Sequence, residues 1–126
     1  MAGTLSMSPG DVGTALRDVT PANREKIQAM VRRIVERFSP ERIVLFGSYA
    51  CGTAGPDSDV DFLVIMRFEG SKRDKQVEIR MALSGMGLAK DIIVATPEEV
   101  KKYRDVVGTV IRPALLEGKV LYERPS

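Results

Sequence analysis

The sequence contains no histidine and a single cysteine, Cys51. The absence of histidine excludes imidazole catalysis and zinc sites with histidine ligands. One cysteine cannot form an internal disulfide, which is typical of a reducing compartment, so we expect a cytoplasmic protein. The apolar runs are only a few residues long, and the first residues lack the charged-then-apolar pattern of a signal peptide. We therefore expect no association with a membrane.

The sequence also has little net charge, +2 from 19 basic and 17 acidic side chains among 126 residues. No dense block of lysine or arginine occurs, so direct binding to nucleic acid is not expected. A composition of 44% hydrophobic and 29% charged residues suits one domain with a packed core. Residues 1–20, rich in glycine, serine and threonine, are predicted to be a mobile leader, and residues 21–126 a single domain.

After residue 20, the sequence predicts alternating helices and strands, which indicates a small α/β domain. Helices are predicted over 21–38 and 71–83, from 97 onward, and again over 106–118 with a break near Pro113. Strands are predicted at 42–47, 59–66, 88–96 and 119–123. The stretch 48–58 is predicted to be a loop because its glycines and proline interrupt regular structure.

Three aspartates, Asp57, Asp59 and Asp61, alternate just before an apolar run. In a strand, Asp59 and Asp61 would point to the same face, so their carboxylates would repel each other. A divalent cation removes that conflict. Mg²⁺ (or Mn²⁺) is commonly held by one or two carboxylates together with substrate phosphates. The pair therefore indicates a site for a metal-bound nucleoside triphosphate.

Two further features support that interpretation. Gly47 and Ser48 end a predicted strand at a turn, where backbone N–H groups and the serine hydroxyl can bind a phosphate. Asp91 lies within an otherwise apolar predicted strand, where an unpartnered charge is costly. If that strand lies beside the one carrying Asp61, three carboxylates converge, and three can hold two metal ions.

Other interpretations of these residues are weaker. The three alternating aspartates imitate the start of an EF-hand, but Phe62 stands where that loop needs glycine. Asp57 alone is explained by a turn, and Asp59, Asp61 and Asp91 could be solvated residues at strand ends or edges. Lys72 and Arg73 could reach phosphates, although a solvated helix start explains them better.

The stretch "GSYACGTAGPDSDVDFLVI" resembles the signature of the DNA polymerase beta-like nucleotidyltransferase superfamily. The chain is similar to the minimal nucleotidyltransferases that prokaryotes encode beside HEPN proteins as toxin–antitoxin pairs. This resemblance extends over about residues 21–124 and implies a polymerase-beta-like core, a small mixed β-sheet flanked by helices. The matching positions are Gly47, Ser48, Gly52, Ser58, Asp59, Asp61 and Asp91.

The resemblance implies transfer of AMP from ATP to an acceptor hydroxyl, with Asp59 and Asp61 binding the metal ions. Asp91 would bind one metal and help to deprotonate the acceptor, while Gly47, Ser48 and Ser58 would contact the nucleotide. The implied partner is a HEPN-type protein that the chain modifies as an antitoxin. Many relatives carry a basic residue where this sequence has Cys51, so a phosphate contact is missing here.

Two alternatives stay open from the sequence. The chain could be a catalytically weak antitoxin that neutralises its partner by binding alone. It could instead modify a small molecule, as aminoglycoside nucleotidyltransferases do, although no residues remain to build an acceptor-binding domain. The sequence is also compatible with a homo-oligomer.

Overall fold

A computed structural model of the chain describes Leu16 and residues 19–55, 57–109 and 111–125. The described residues confirm the predicted alternation of helices and strands. The helices are α1 (Pro21–Phe38), α2 (Ser48–Cys51), α3 (Lys72–Ala82), α4 (Pro97–Tyr103) and α5 (Ile111–Glu117). The strands are β1 (Arg42–Phe46), β2 (Val60–Ile65), β3 (Lys90–Ala95) and β4 (Lys119–Glu123).

The four strands form one mixed sheet in the order β3-β2-β1-β4. β1 runs antiparallel to both of its neighbours, whereas β2 and β3 are parallel. The parallel pair follows from the connection, because α3 carries the chain back along the sheet between β2 and β3. This arrangement confirms the small mixed sheet flanked by helices that the resemblance implied.

The two faces of the sheet are covered by different helices. On one face, Phe62 and Val64 of β2 belong to the main core, which also contains the buried stripe of α1 and Ile79 of α3. On the other face, Leu63 and Ile65 pack with Ile111 and other residues of a smaller cluster. This alternation along β2 agrees with the predicted one, so the face of Asp61 is that of Leu63 and Ile65.

Two helix starts are formed as the sequence predicts. The Thr20 hydroxyl accepts a hydrogen bond from the Asn23 N–H at 3.4 Å, and Pro21 follows as the first helical residue of α1. At α4, the Thr96 hydroxyl accepts from the Glu99 N–H, and the Glu99 carboxylate accepts from the Thr96 N–H. These reciprocal bonds are a capping box, which places the first turn of α4 directly after β3.

Several predicted boundaries were wrong. Residues 48–51 form the single helical turn α2 rather than loop, and β2 begins at Val60, so Asp59 precedes the strand. The predicted helix over 106–118 is confined to Ile111–Glu117. Gly108 has a φ of +98°, which a helix does not allow. Starting at Ile111 also places Pro113 in the first turn, where its missing N–H costs nothing.

Most of the predicted leader, residues 1–15 and 17–18, lies outside the described residues. Leu16 and Val19 are described, and both are buried in the main core, so packing begins before the predicted boundary at residue 20. Across the described ranges, no helix has the length and apolar character needed to cross a bilayer.

Candidate active site

The turn that follows β1 is built on two glycines in left-handed backbone conformations. Gly47 has a φ of +75° and leads into α2, and Gly52, also at +75°, ends it. The Gly47 carbonyl accepts from the N–H groups of Ala50 and Cys51 at 3.0 and 3.1 Å. These internal bonds leave the N–H groups of Ser48 and Tyr49 without an acceptor in the described part of the chain. The turn is thus suited to bind an anion.

The sheet brings Asp61 and Asp91 side by side. They are the second residues of the parallel strands β2 and β3, and they are direct partners in the register. Partners in a parallel pair point to the same face, so both carboxylates stand at one end of the face that carries Leu63. Asp59 lies two residues before Asp61 and is exposed. The condition for convergence, that the strand of Asp91 lies beside that of Asp61, is therefore met.

Asp61 also lies directly against the glycine turn, because its strand is the neighbour of β1. Phe46 of β1 is the register partner of Asp61, and Gly47 follows it. A methyl group added at Gly47 would lie 2.2 Å from the Asp61 Oδ2 atom. The backbone of the proposed phosphate turn and the carboxylate of the proposed metal site are thus in contact.

The electrostatics of this group favour a cation. Partial burial raises the pKa of Asp61 above its ordinary value, and the negative charges of Asp91 and Asp59 raise it further. Within the described chain, none of the three carboxylates has a hydrogen bond or an ion pair to a protein group. A cation bound among them would relieve this repulsion.

The fit of these donors to a divalent metal ion depends on their arrangement and on their chemistry. Among the described residues, no group of three or more His, Cys, Asp or Glu side chains is arranged so that it could hold a metal ion. Carboxylates supply the hard oxygen donors that Mg²⁺ prefers, and Mg²⁺ is often held by one or two carboxylates plus phosphate oxygens and water. The residues therefore fit an open site completed by a substrate, rather than a closed protein cage.

The two remaining predicted site residues, Ser48 and Ser58, lie in different segments of the chain. Ser48 is the first residue of α2, beside Gly47. The Ser58 hydroxyl accepts from the Gly55 N–H at 2.8 Å and so closes the loop before Asp59. Its assignment to nucleotide binding stays a prediction, as do the roles assigned to Gly47, Ser48 and the three aspartates.

Lys72 and Arg73 are excluded as phosphate contacts at this site. They begin α3, beyond the carboxyl end of β2, whereas Asp61 lies near the amino end of that strand. The Lys72 ammonium is bound to the Glu99 carboxylate at 2.6 Å, on α4. Cys51 is exposed, and no basic side chain replaces it within the turn.

Sequence reasoning missed two features around the turn. Lys119 pairs with Leu45, so β4 begins with a lysine at the same end of the sheet as Gly47. A cavity of about 300 Å³ lies behind α2, and the Asn23 amide donates to the Tyr49 hydroxyl at 3.5 Å within its lining. The sequence signal for both was weak, because Lys119 and Asn23 lie outside the motif that runs from Gly47 to Asp61.

Together, the fold and the site define a class: a small mixed sheet whose edge presents carboxylates beside a glycine-serine turn, as in enzymes that transfer nucleotidyl groups. The family model for the nucleotidyltransferase domain matches residues 27–120. The chain belongs to this nucleotidyltransferase domain family.

Two of the proteins that are similar to the chain show what the likeness covers. One, from Methanocaldococcus jannaschii, carries the name "putative protein adenylyltransferase" and is 38% identical over 55 residues, or 44% of this chain. The chain spans only 54% of that relative's length. The other is the crystal structure of a "putative nucleotidyltransferase" from Sulfolobus solfataricus, with a TM-score of 0.58 and 19% identity over 88% of both chains. The similarity to the S. solfataricus structure shows that the two proteins share a fold.

Proposed function

We propose that this chain transfers AMP from ATP to a hydroxyl group of an acceptor protein. The observation that carries the proposal is the contact between Gly47 and Asp61, with Asp91 in register beside it. This contact joins a turn with free N–H groups to carboxylates that have no protein partner among the described residues, so one metal-bound triphosphate could engage both. The name of the M. jannaschii relative supports the choice of a protein as acceptor and of an adenylyl group as the part transferred.

In the proposed reaction, the acceptor oxygen attacks the α-phosphorus of ATP. A bond forms between that oxygen and phosphorus, and the bond from phosphorus to the bridging oxygen of the β-phosphate breaks. Pyrophosphate leaves with the electron pair, and Asp91 receives the hydroxyl proton. The Ser48 hydroxyl and the N–H groups of Ser48 and Tyr49 would orient the phosphates for in-line attack.

Asp59 and Asp61 would hold a divalent cation, Mg²⁺ or Mn²⁺, with Asp91 as a further ligand. When bound, that ion would neutralise charge on the triphosphate and stabilise the charge that develops during transfer. Asp61 is the best placed of the three, since it is the one in contact with the Gly47 turn.

The acceptor that we propose is a HEPN-type protein encoded beside this chain, which makes the chain an antitoxin. The direct test mixes the two proteins with labelled ATP and Mg²⁺ and follows nucleotide mass on the partner by mass spectrometry. We expect the partner to gain one AMP on a tyrosine or another hydroxyl residue. Asp91→Asn should abolish labelling yet leave the two proteins associated.

One observation favours the alternative, an antitoxin that acts by binding alone. Cys51 leaves the turn without a basic side chain, and Lys72 and Arg73 lie at the other end of the sheet. A tight complex that gains no nucleotide under any metal condition would support that alternative and reject ours. Cys51→Arg separates the two further, because a missing phosphate contact predicts stronger ATP binding in that variant.

A further inference from the structure

A second site lies at the end of the sheet opposite to the aspartates. Here Arg42 begins β1, Ile65 ends β2 and Pro97 begins α4, and these residues line a cleft of about 540 Å³. Ile65 is four residues beyond Asp61, so the cleft lies about 13 Å away along β2 at roughly 3.3 Å per residue. The cleft therefore shares no residue with the candidate active site.

The charges that line the cleft do not balance. Five cationic side chains face three acidic ones, which leaves an excess of two positive charges, as large as the net charge of the whole chain. The cationic side chains are Arg42, Arg67, Lys101, Arg104 and Arg124. This excess is local, because the overall composition is nearly neutral.

Among the described residues, two of these five cations form ion pairs. Arg42 pairs with Glu123 at 3.4 Å, and Arg67 lies between Glu41 at 3.7 Å and Glu98 at 2.6 Å. Exposed pairs of this kind contribute little to stability, so an incoming anion can exchange with them. The pKa of Glu98 is lowered first by a backbone N–H hydrogen bond, then by the hydrogen bond from Arg67, and to a smaller extent by the charges of Arg67 and Lys101.

The other three cations have no carboxylate within ion-pair distance in the described part of the chain. Lys101 lies in the last turn of α4 and Arg104 is its C-cap residue, and both are exposed. Arg124 donates to the Ser39 carbonyl, which holds its guanidinium at the cleft. Two cations at the end of α4 and one after β4 thus line one concave surface, and their positive charges favour an anionic ligand.

The rest of the lining distinguishes an acidic peptide from a single-stranded nucleic acid as the anionic ligand. Apolar atoms of Ile65, Pro97 and Val100 contribute to the walls, and no aromatic side chain is among the described lining residues. Proteins that bind single-stranded nucleic acid stack bases on aromatic side chains, which this cleft lacks. A peptide in which carboxylates are interspersed with aliphatic side chains would match both the positive charge and the apolar walls of the cleft.

We propose that this cleft binds an acidic, partly aliphatic peptide segment of a protein partner. The binding does not depend on nucleotide or metal. It rests on the proposed function in one respect only, that the partner carrying the segment is the acceptor of the nucleotidyl group. The cleft would then anchor the acceptor at one end of the sheet while its hydroxyl reaches the carboxylates at the other.

The test measures binding of a fluorescein-labelled peptide, Glu-Glu-Leu-Glu-Glu-Ile-Glu-Glu, by fluorescence anisotropy at low salt without nucleotide. A matched pair of double variants separates the cleft from general charge. Lys101→Glu with Arg104→Glu reverses two cleft charges, whereas Lys102→Glu with Arg32→Glu reverses two exposed charges outside it. Lys102 is next to Lys101 on the same helix, and the two double variants make the same change in net charge. Thermal melts verify that both are folded.

We expect the cleft variant to weaken peptide binding by at least about tenfold, and the control variant by less than about twofold. A peptide with lysine in place of every glutamate should not bind. Equal losses in both variants, or no binding to the wild type, would overturn the proposal. Tighter binding of a labelled oligouridylate than of the acidic peptide would overturn it in favour of nucleic acid. Because no nucleotide is present, absent transfer activity with intact peptide binding would count against the proposed function alone.

Discussion

Gly47 has no side chain for two independent reasons. Its φ of +75° belongs to a region that residues with a Cβ atom rarely adopt, and a Cβ atom would overlap the Asp61 carboxylate at 2.2 Å. Asp61 is part of the sheet through its strand, so its backbone cannot easily move away. The glycine therefore allows the turn after β1 and the Asp61 carboxylate to occupy neighbouring positions.

Gly47→Ala should damage both the fold and the site. We expect a loss of about 1–3 kcal/mol in the free energy of unfolding, the scale of one strained backbone position, with loss of ATP binding. Urea unfolding and calorimetric titration measure the two effects. The control is Gly55→Ala, which adds a methyl group to open space. It should change stability by no more than about 1 kcal/mol, and similar losses in the two variants would contradict the contact.

Asp61→Asn should stabilise the metal-free protein in a way that depends on pH. Since the folded pKa of Asp61 is raised, the folded state binds more protons than the unfolded state between the two pKa values. The charged carboxylate therefore destabilises the fold above its folded pKa, and this cost disappears as the pH falls below the ordinary value of about 3.9.

We expect the variant to be more stable than the wild type at pH 7 by roughly 0.5–1 kcal/mol, the scale of exposed charge interactions. Urea unfolding in a metal chelator, repeated from pH 7 downward, should show the difference shrinking to zero. If the variant is less stable than the wild type at pH 7, Asp61 has a stabilising partner and is not a carboxylate that burial and its neighbours destabilise.

Among the secondary-structure elements, α3 and α4 fix the end of the sheet that is remote from the aspartates. Gln76 of α3 accepts a hydrogen bond from the Val94 N–H at 2.9 Å, which satisfies a donor on the outer strand β3. Lys72 of α3 binds Glu99 of α4. Partial burial alone would raise the pKa of Glu99, but the hydrogen bonds from Lys72 and from the Thr96 backbone prevail and lower it. Glu99 therefore links the two helices as well as capping its own.

Thr96→Ala removes the hydroxyl of the capping box. We expect a loss of about 0.5–2 kcal/mol in the free energy of unfolding, because the Glu99 N–H loses its acceptor. Thr96→Ser keeps the oxygen and should retain most of that stability. ATP binding should be unchanged in both, since α4 begins at the other end of the sheet from Asp61. Equal unfolding curves for the alanine and serine variants would show that the cap contributes nothing.

At the scale of the whole molecule, the described residues concentrate carboxylates at one end of the sheet and an excess of cations at the other, although Lys90 and Lys119 begin strands at the carboxylate end. Carboxylates gather at the amino ends of β2 and β3, and cationic side chains gather at their carboxyl ends. This separation is hidden in the net charge of +2. A nucleoside triphosphate without metal would meet repulsion at the first end, so we expect nucleotide and metal to bind there together.

ATP with Mg²⁺ should raise the melting temperature, and either one alone should raise it much less. At a nucleotide concentration tenfold above its Kd, linkage predicts a gain of about 1.4 kcal/mol, which corresponds to a rise of roughly 3–8 °C. Differential scanning fluorimetry measures this directly, and Asp61→Asn should abolish the rise. An equal rise with ATP in a chelator would place the nucleotide at the cationic end of the sheet instead.

The local structure of this protein was determined by its sequence. Periodicity and caps predicted α1 and the start of α4, and the alternation along β2 predicted the face of Asp61. The pattern from Gly47 to Asp61 was sufficient by itself to indicate the family, whereas the site that it indicates stays a prediction. These signals are readable because each depends on residues close together along the chain.

Only the tertiary structure decided which distant groups meet. The parallel register of β2 and β3 places Asp91 beside Asp61, and the pairing of β1 with β2 presses Gly47 against that carboxylate. The fold also placed Lys72 at the far end and assembled a cationic cleft from segments far apart in sequence. Strand order and register arise from the packing of both sheet faces at once, and that packing has no local signature in the sequence.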